Sequence, residues 1–296
     1  MNFDFLVATA YFTGWKLVRS LPEKFAYSTF EKMGVFALRR NGARMQRLRS
    51  NLQRVCPDKD SEAMDQLMSS AISSYMRYWC DTFRSPDWSK DRIVTTVTVT
   101  REELLTGPMK DGRGVVVALP HAGNWDHAGA YFCAMGLPLV TVVEKLKPEA
   151  LFNRFLEYRQ NMGMEVLSTE SRSMSILMQR AREGALIALV SDRDLSRSGV
   201  NVEFFGYPAR MPVGAALLAV RTGIPLITAQ VSYTKSGIHI EFNNVAIPTE
   251  GAETERVALV VQNCADYFEA GISKNPQDWH MLQRIWIDGD FQERSA

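Results

Sequence analysis

The run Gly114-Val115-Val116-Val117-Ala118-Leu119-Pro120 is apolar throughout and stops at a proline. It reads as a buried strand, and it anchors the fold of everything around it. Before it, Val94 to Thr100 holds only valine and threonine and predicts a strand, and Arg101 to Leu105 predicts a short helix. After it, residues 139–143, 164–167 and 186–190 read as strands. Residues 149–162, 174–182 and 214–222 read as helices, the last opened by Pro212. Residues 225–231 and 238–242 predict a hairpin around Lys235-Ser236-Gly237, followed by a long helix from Glu253 to Ala270. This alternation predicts an α/β fold with a central, mostly parallel or mixed sheet flanked by helices.

Residues 1–85 follow another pattern. Phe5, Ala8, Phe12, Trp15 and Val18 recur near helical spacing, and Phe25 to Val55 forms a second helical stretch. Ser61 to Phe83 forms a third, ended by Ser85-Pro86-Asp87. The chain is therefore expected to divide into a helical, membrane-associating segment, residues 1–87, packed on an α/β core, residues 88–296. A net charge of +1 excludes a molecule that binds nucleic acid by its overall charge. Yet residues 1–54 carry ten Lys and Arg against three acids. Those cations beside Phe5, Phe12 and Trp15 suit an interfacial anchor on an anionic membrane surface, the alternative being a helical layer on the core. The longest uncharged run, Ala128 to Val143, contains Gly129, Gly136 and Pro138 and falls short of the roughly 18 residues of a spanning helix. Asp4 ahead of the apolar residues 5–15 argues against a secretory signal. Cys56, Cys80, Cys133 and Cys264 are far apart, with no CxxC pair, which fits a reducing compartment.

His121 stands where the strand stops and a helix begins, and Asp126 follows five positions later. On one continuous helix five positions turn about 500°, leaving the two side chains about 140° apart. They meet only if His121 lies in the loop and Asp126 one turn into the helix, which Gly123 and Asn124 favour. A carboxylate on Nδ1 leaves Nε2 free to take a proton from an alcohol. The plain alternative is a histidine at a strand end with no catalytic role. Ser191-Asp192-Arg193-Asp194 follows the strand 186–190 in the same way. The carboxyl ends of strands line the functional crevice of open α/β sheets; the alternative here is a solvated turn held by weak ion pairs. The chain has no G-x-S-x-G elbow and no glycine-rich phosphate loop. His121, Asp126 and His127 lack an H-x3-H pair or a cysteine partner, so no metal is expected.

Pro120-His121-Ala122-Gly123-Asn124-Trp125-Asp126 resembles the H-x4-D/E signature of lysophospholipid and lipid A acyltransferases. Val143 to Glu149, Tyr158-Arg159, Ser191 to Val200, Phe204-Phe205-Gly206, Met211-Pro212 and Asp278 to Gln283 extend the likeness. Together they are most similar to the phosphatidylinositol mannoside acyltransferases of actinobacteria. The resemblance implies a peripheral enzyme on the cytoplasmic face of the plasma membrane. It implies transfer of a palmitoyl-like chain from acyl-CoA, a substrate rather than a cofactor, to the 6-hydroxyl of a mannose on phosphatidylinositol mannosides. His121 would be the general base and Asp192 the acid that orients it, with Asp126 a structural partner or a sugar ligand. Arg159 and Ser198 fall at acyl-donor positions, and Glu144 in the stretch facing the acceptor sugar. By charge alone, Arg210 and Arg221 are candidates for the nucleotide phosphates. Phe204, Phe205, Met211 and Leu218 are candidate liners of an acyl groove, with ordinary core as the alternative. Rival readings are a lysophospholipid or lipid A-type acyltransferase, and a non-catalytic lipid-binding protein.

Overall fold

The computed structural model describes residues 13–143, 149–168, 173–194 and 198–288. Helices come first: α1 over residues 13–20, then α2 (Glu23–Arg40), α3 (Ala43–Val55) and α4 (Ser61–Arg84). The stretch Phe25 to Val55, expected as one unit, is broken because Asn41 turns left-handed at φ 43° ahead of Gly42. The Asp60 carboxylate starts α4 by accepting the Ala63 N–H at 2.8 Å. Met64, Leu67, Met68, Ala71 and Ile72 then repeat at helical spacing on its buried face. α2 crosses α4 at Gly34, where a Cβ would stand 2.9 Å from Ile72 Cγ2.

The core continues with α5 (Lys90–Thr95), β1 (Val97–Thr100), α6 (Glu103–Lys110), β2 (Val115–Leu119) and α7 (Trp125–Ala134). Next come β3 (Leu139–Val143), α8 (Glu149–Asn161), β4 (Glu165–Ser168), α9 (Ser173–Arg182) and β5 (Leu186–Val190). The chain closes with β6 (Val200–Phe204), β7 (Tyr207–Met211), α10 (Gly214–Thr222), β8 (Leu226–Tyr233), β9 (Ile238–Asn244) and α11 (Glu253–Lys274). The strand expected over 94–100 starts at Val97. Its first residues belong to α5, which Ser89 opens by accepting the Arg92 N–H at 3.1 Å. The helix expected over 101–105 starts at Glu103, because Arg101 sits at φ 59°. The hairpin β6–β7, which the sequence pattern does not predict, turns on Phe205 and Gly206, both at positive φ. Its usual sequence signal, Asn-Gly or Asp-Gly, is missing.

Seven strands form one sheet in the order β1-β9-β8-β2-β5-β3-β4. Only the β8–β9 pairing is antiparallel. Alternation along β2 divides the core between two faces. Val115, Val117 and Leu119 meet α6 and α7, whereas Val116 and Ala118 meet the side covered by α9, α10 and α11. α3 and α4 add Leu48, Leu52, Met64 and Ile72 to that second face. From β2 the chain passes through α7 to β3, beyond β5. From β5 it passes through α10 to β8, beyond β2. Two adjacent parallel strands whose connections leave in opposite directions open a crevice at their carboxyl ends. No helix among the described residues is long and apolar enough to cross a membrane.

Candidate active site

Register decides what meets in that crevice. β2 and β5 pair with Leu119 opposite Val190, and the Ser191 N–H continues the ladder to Leu119 O at 2.8 Å. His121 and Asp192 are each two residues past that last pair. The His121 Nδ1 lies 2.6 Å from Asp192 Oδ1, and the His121 backbone N–H reaches Asp192 Oδ2 at 2.9 Å. The Trp279 indole N–H donates to the same Oδ2 at 3.0 Å. Asp192 is fully buried. Burial pushes its carboxyl up, but the neighbouring imidazole, the indole and the backbone donor outweigh this and hold it below the usual carboxylate range. An ionised carboxylate can only accept, so Nδ1 carries the hydrogen, and in the neutral ring the lone pair falls on Nε2.

Asp126 does not take part in this pair. Gly123, at φ 59°, reverses the chain where a Cβ would strike Val231 O at 2.7 Å. Asn124 then caps α7 by accepting the His127 N–H at 2.9 Å. The first turn of α7 points Asp126 toward α4 and α8. There it accepts from Arg159 Nε at 2.7 Å, from a second Arg159 nitrogen at 3.2 Å, and from the Tyr78 hydroxyl at 3.0 Å. Desolvation works against the Arg159 charge, yet Asp126 more than offsets it and raises the guanidinium pKa. Of the two carboxylates left open as partners of His121, Asp126 instead forms a buried ion pair with Arg159.

A cavity of about 830 Å³ opens beside His121 and Trp125. It runs between the sheet and α7, past Leu119, Val117, Ala188 and Leu186, toward Leu105, Phe132 and Phe242. Gly129 on α7 lets the Met164 side chain pack against the helix beside this cavity, since a Cβ there would stand 2.6 Å from Met164 Cε. Arg159, Arg193, Asp194 and Ser198 line the polar parts of the wall. A histidine paired with a buried carboxylate beside a largely apolar cavity suits chemistry on an amphiphile rather than on a water-soluble sugar alone.

The sequence model of the bacterial lipid A biosynthesis acyltransferase family matches residues 3–287. The chain belongs to this family. It is an enzyme, an acyltransferase. It is 38% identical, over 97% of its length, to a phosphatidylinositol mannoside acyltransferase of Mycolicibacterium smegmatis, covering 93% of that protein. It is 36% identical, over 97% of its length, to a protein of the same name from Mycobacterium tuberculosis CDC 1551, covering 90% of that relative.

Other residues of this acyltransferase depart from expectation. Arg221 lies two turns from the α10 end that borders the cavity, exposed and paired with Glu253 at 2.7 Å. That distance, roughly 10 Å along the helix, keeps it off the cavity wall. Phe204, Met211 and Leu218 are fully buried in the core rather than along the tunnel, and Phe205 packs against that core. Arg210 is not among the residues lining the cavity, although its carbonyl accepts the Asp194 N–H at 3.0 Å. Glu144 lies outside the described residues. Two side chains given no role in the sequence, Tyr78 and Trp279, turn out to hold the two site carboxylates. Neither has a local signal, because each acts only on a residue brought near by folding.

Proposed function

We propose that this acyltransferase moves a long-chain, palmitoyl-like acyl group from acyl-CoA to the 6-hydroxyl of a mannose on phosphatidylinositol mannosides. His121 Nε2 takes the hydroxyl proton as the sugar oxygen attacks the thioester carbonyl carbon. Asp192 stabilises the imidazolium so formed. The tetrahedral intermediate collapses with cleavage of the C–S bond, and the imidazolium returns its proton to the departing thiolate of coenzyme A. Thiolate leaves readily, so attack is direct and no covalent enzyme intermediate is needed. The backbone donors just after His121 are engaged, Ala122 N–H by Pro120 O at 2.7 Å and Gly123 N–H by Asp278 O at 2.8 Å. The oxyanion is therefore assigned to the Arg159 guanidinium. Arg159 and Ser198 are assigned to the donor; Asp126, held in its ion pair with Arg159, is a structural partner, and Glu144 is assigned to the acceptor by the family likeness. The enzyme works as a peripheral protein on the cytoplasmic face of the plasma membrane.

The observation that carries this reading is the His121–Asp192 pair, 2.6 Å apart, beside a largely apolar cavity of about 830 Å³. Each buried methylene of an acyl chain is worth roughly 0.8 kcal/mol, so such a cavity supplies much of the donor affinity. The names of the mycobacterial relatives point to the acceptor. The test is release of coenzyme A and mass-spectrometric detection of the acylated product with phosphatidylinositol mannosides offered. His121→Ala is expected to lower turnover about a thousandfold while acyl-CoA still binds. Full turnover by that variant defeats the mechanism. A protein that only binds lipid would release no coenzyme A with any acceptor. Equal turnover on lysophospholipid would move the acceptor assignment to that class.

A further inference from the structure

We propose that Trp279 is a positioning residue for acyl transfer: its indole N–H pins one oxygen of Asp192 so that the other stays aimed at His121 Nδ1. The inference rests on the reading of His121 as the base. Asp192 Oδ2 accepts two bonds, from Trp279 Nε1 at 3.0 Å and from the His121 backbone N–H at 2.9 Å. Oδ1 accepts one, from His121 Nδ1 at 2.6 Å. A carboxylate swings about a single side-chain bond, so holding Oδ2 from two directions fixes the direction of Oδ1. Take away the indole, and the donors that remain among the described residues, Nδ1 and the backbone N–H, both belong to the histidine being oriented.

The indole cannot move away. It is fully buried, with the rings of Phe204 at 6.0 Å, Phe205 at 6.4 Å and Trp286 at 6.5 Å. Phe205 reaches it from a left-handed backbone conformation, φ 51°, which a bulky side chain adopts only when its surroundings impose it. The backbone around Trp279 is tied to the motif loop as well. Asp278 O accepts the Gly123 N–H at 2.8 Å, the His280 N–H donates to His121 O at 2.8 Å, and Ala122 bridges Trp279. One short segment thus holds the histidine by its main chain and the aspartate by its side chain. Phe204-Phe205-Gly206 and Asp278-Trp279-His280, sequence motifs with no part in the chemistry itself, meet at the indole that holds this carboxylate. A base whose partner is already oriented needs no rearrangement when the imidazolium forms.

Trp279→Phe keeps the aromatic wall and removes the donor. With acyl-CoA and phosphatidylinositol mannosides, kcat is expected to fall about tenfold to a hundredfold, the loss for a hydrogen bond to a charged group, while KM for the donor stays within about twofold. The acidic limb of the pH–rate profile is expected to move to higher pH. A carboxylate short of one donor protonates more easily and draws the Nδ1 proton more strongly. The other charged or titratable groups around the pair are His280 and Asp278 on the same segment, Asp126 with Arg159 beside α7, and Arg193 and Asp194 at the cavity wall. All are unchanged in the variant, so the movement belongs to the lost N–H. Phe205→Leu loosens the same wall without touching the bond and is expected to lower Tm with the acidic limb in place. An equal shift in that variant, or wild-type kcat and profile in Trp279→Phe, overturns the inference. If Trp279→Phe does not fold, indole and imidazole nitrogen NMR of the wild-type enzyme decides. The Trp279 N–H is expected to titrate with the midpoint of His121, and an invariant resonance counts against the proposal. An active His121→Ala enzyme would instead sink the underlying mechanism, whatever Trp279 does.

Discussion

A carboxylate sealed from water stays ionised only where donors replace its hydration shell. Asp126 and Asp192 solve that problem differently. Asp192 collects an imidazole, an indole and a backbone amide; Asp126 collects a guanidinium and a phenol. The first arrangement turns Nε2, not Nδ1, toward any proton the ring could take up. The second locks α7 to α8 and to α4. Asp126→Asn would leave the Arg159 charge buried without a counter-ion. That substitution is expected to cost about 3 kcal/mol and to lower Tm markedly, because a broken buried pair leaves an uncompensated ion. An unchanged melting temperature by calorimetry would show that the pair is not structural.

At the scale of elements, α2 is unusual because both of its faces carry large apolar groups. Ala26, Phe30 and Gly34 face α4, whereas Phe25, Met33 and Phe36 are more than half exposed. Lys32 and Arg39 lie exposed among those outer side chains. Large apolar groups mixed with cations on one outward face match the chemistry of an anionic bilayer surface. Each such cation is worth roughly 1 kcal/mol near anionic lipid, so Lys32→Gln with Arg39→Gln is expected to weaken binding to phosphatidylinositol-containing vesicles about thirtyfold. Co-sedimentation measures this. Binding unaffected by the double substitution would place the membrane contact elsewhere. The Tyr27 hydroxyl on this helix bonds to Asp81, which also accepts from Tyr233 and from Asn124, the cap of α7. The outer helix is thus joined to the start of α7, beside the His121 loop, through one buried carboxylate.

Across the whole molecule, two buried histidines set how stability responds to acid. Burial is the main cause that pushes His127 down to about 4 and His280 down to about 3. Unfolded histidine takes up a proton near pH 6.5, whereas these two resist until well below that. The unfolded chain therefore binds more protons between about pH 6.5 and pH 4, and stability falls as pH falls through that window. Asp81 and Asp278, whose carboxyls are raised chiefly by burial, act in the opposite sense. Comparison with a single variant isolates the histidine contribution. His127→Gln is expected to flatten unfolding free energy against pH by on the order of 3 kcal/mol over the window. Identical slopes in denaturant titrations of both proteins would rule this out.

What the residues determined alone is the framework: strands at 115–119, 139–143 and 186–190, the helices between them, and a histidine and an aspartate each just past a strand end. These follow from periodicities spanning ten residues or fewer, within which burial on one face or two leaves a readable trace. The break at Asn41, the helix at Lys90–Thr95 and the Phe205-Gly206 turn were harder to read, since each depends on one cap or one unusual backbone angle. The tertiary structure alone decided which carboxylate serves His121. Spacing allowed Asp126 and the family likeness implied Asp192; the pairing of Leu119 with Val190 brings Asp192 to the ring, and folding of the C-terminal segment brings Trp279. The same holds for Arg221, which folding pairs with Glu253 away from the cavity wall, and for Phe204, Met211 and Leu218, placed in the core by packing. Partner choice depends on the register and packing of elements far apart in the chain, and no local pattern encodes either.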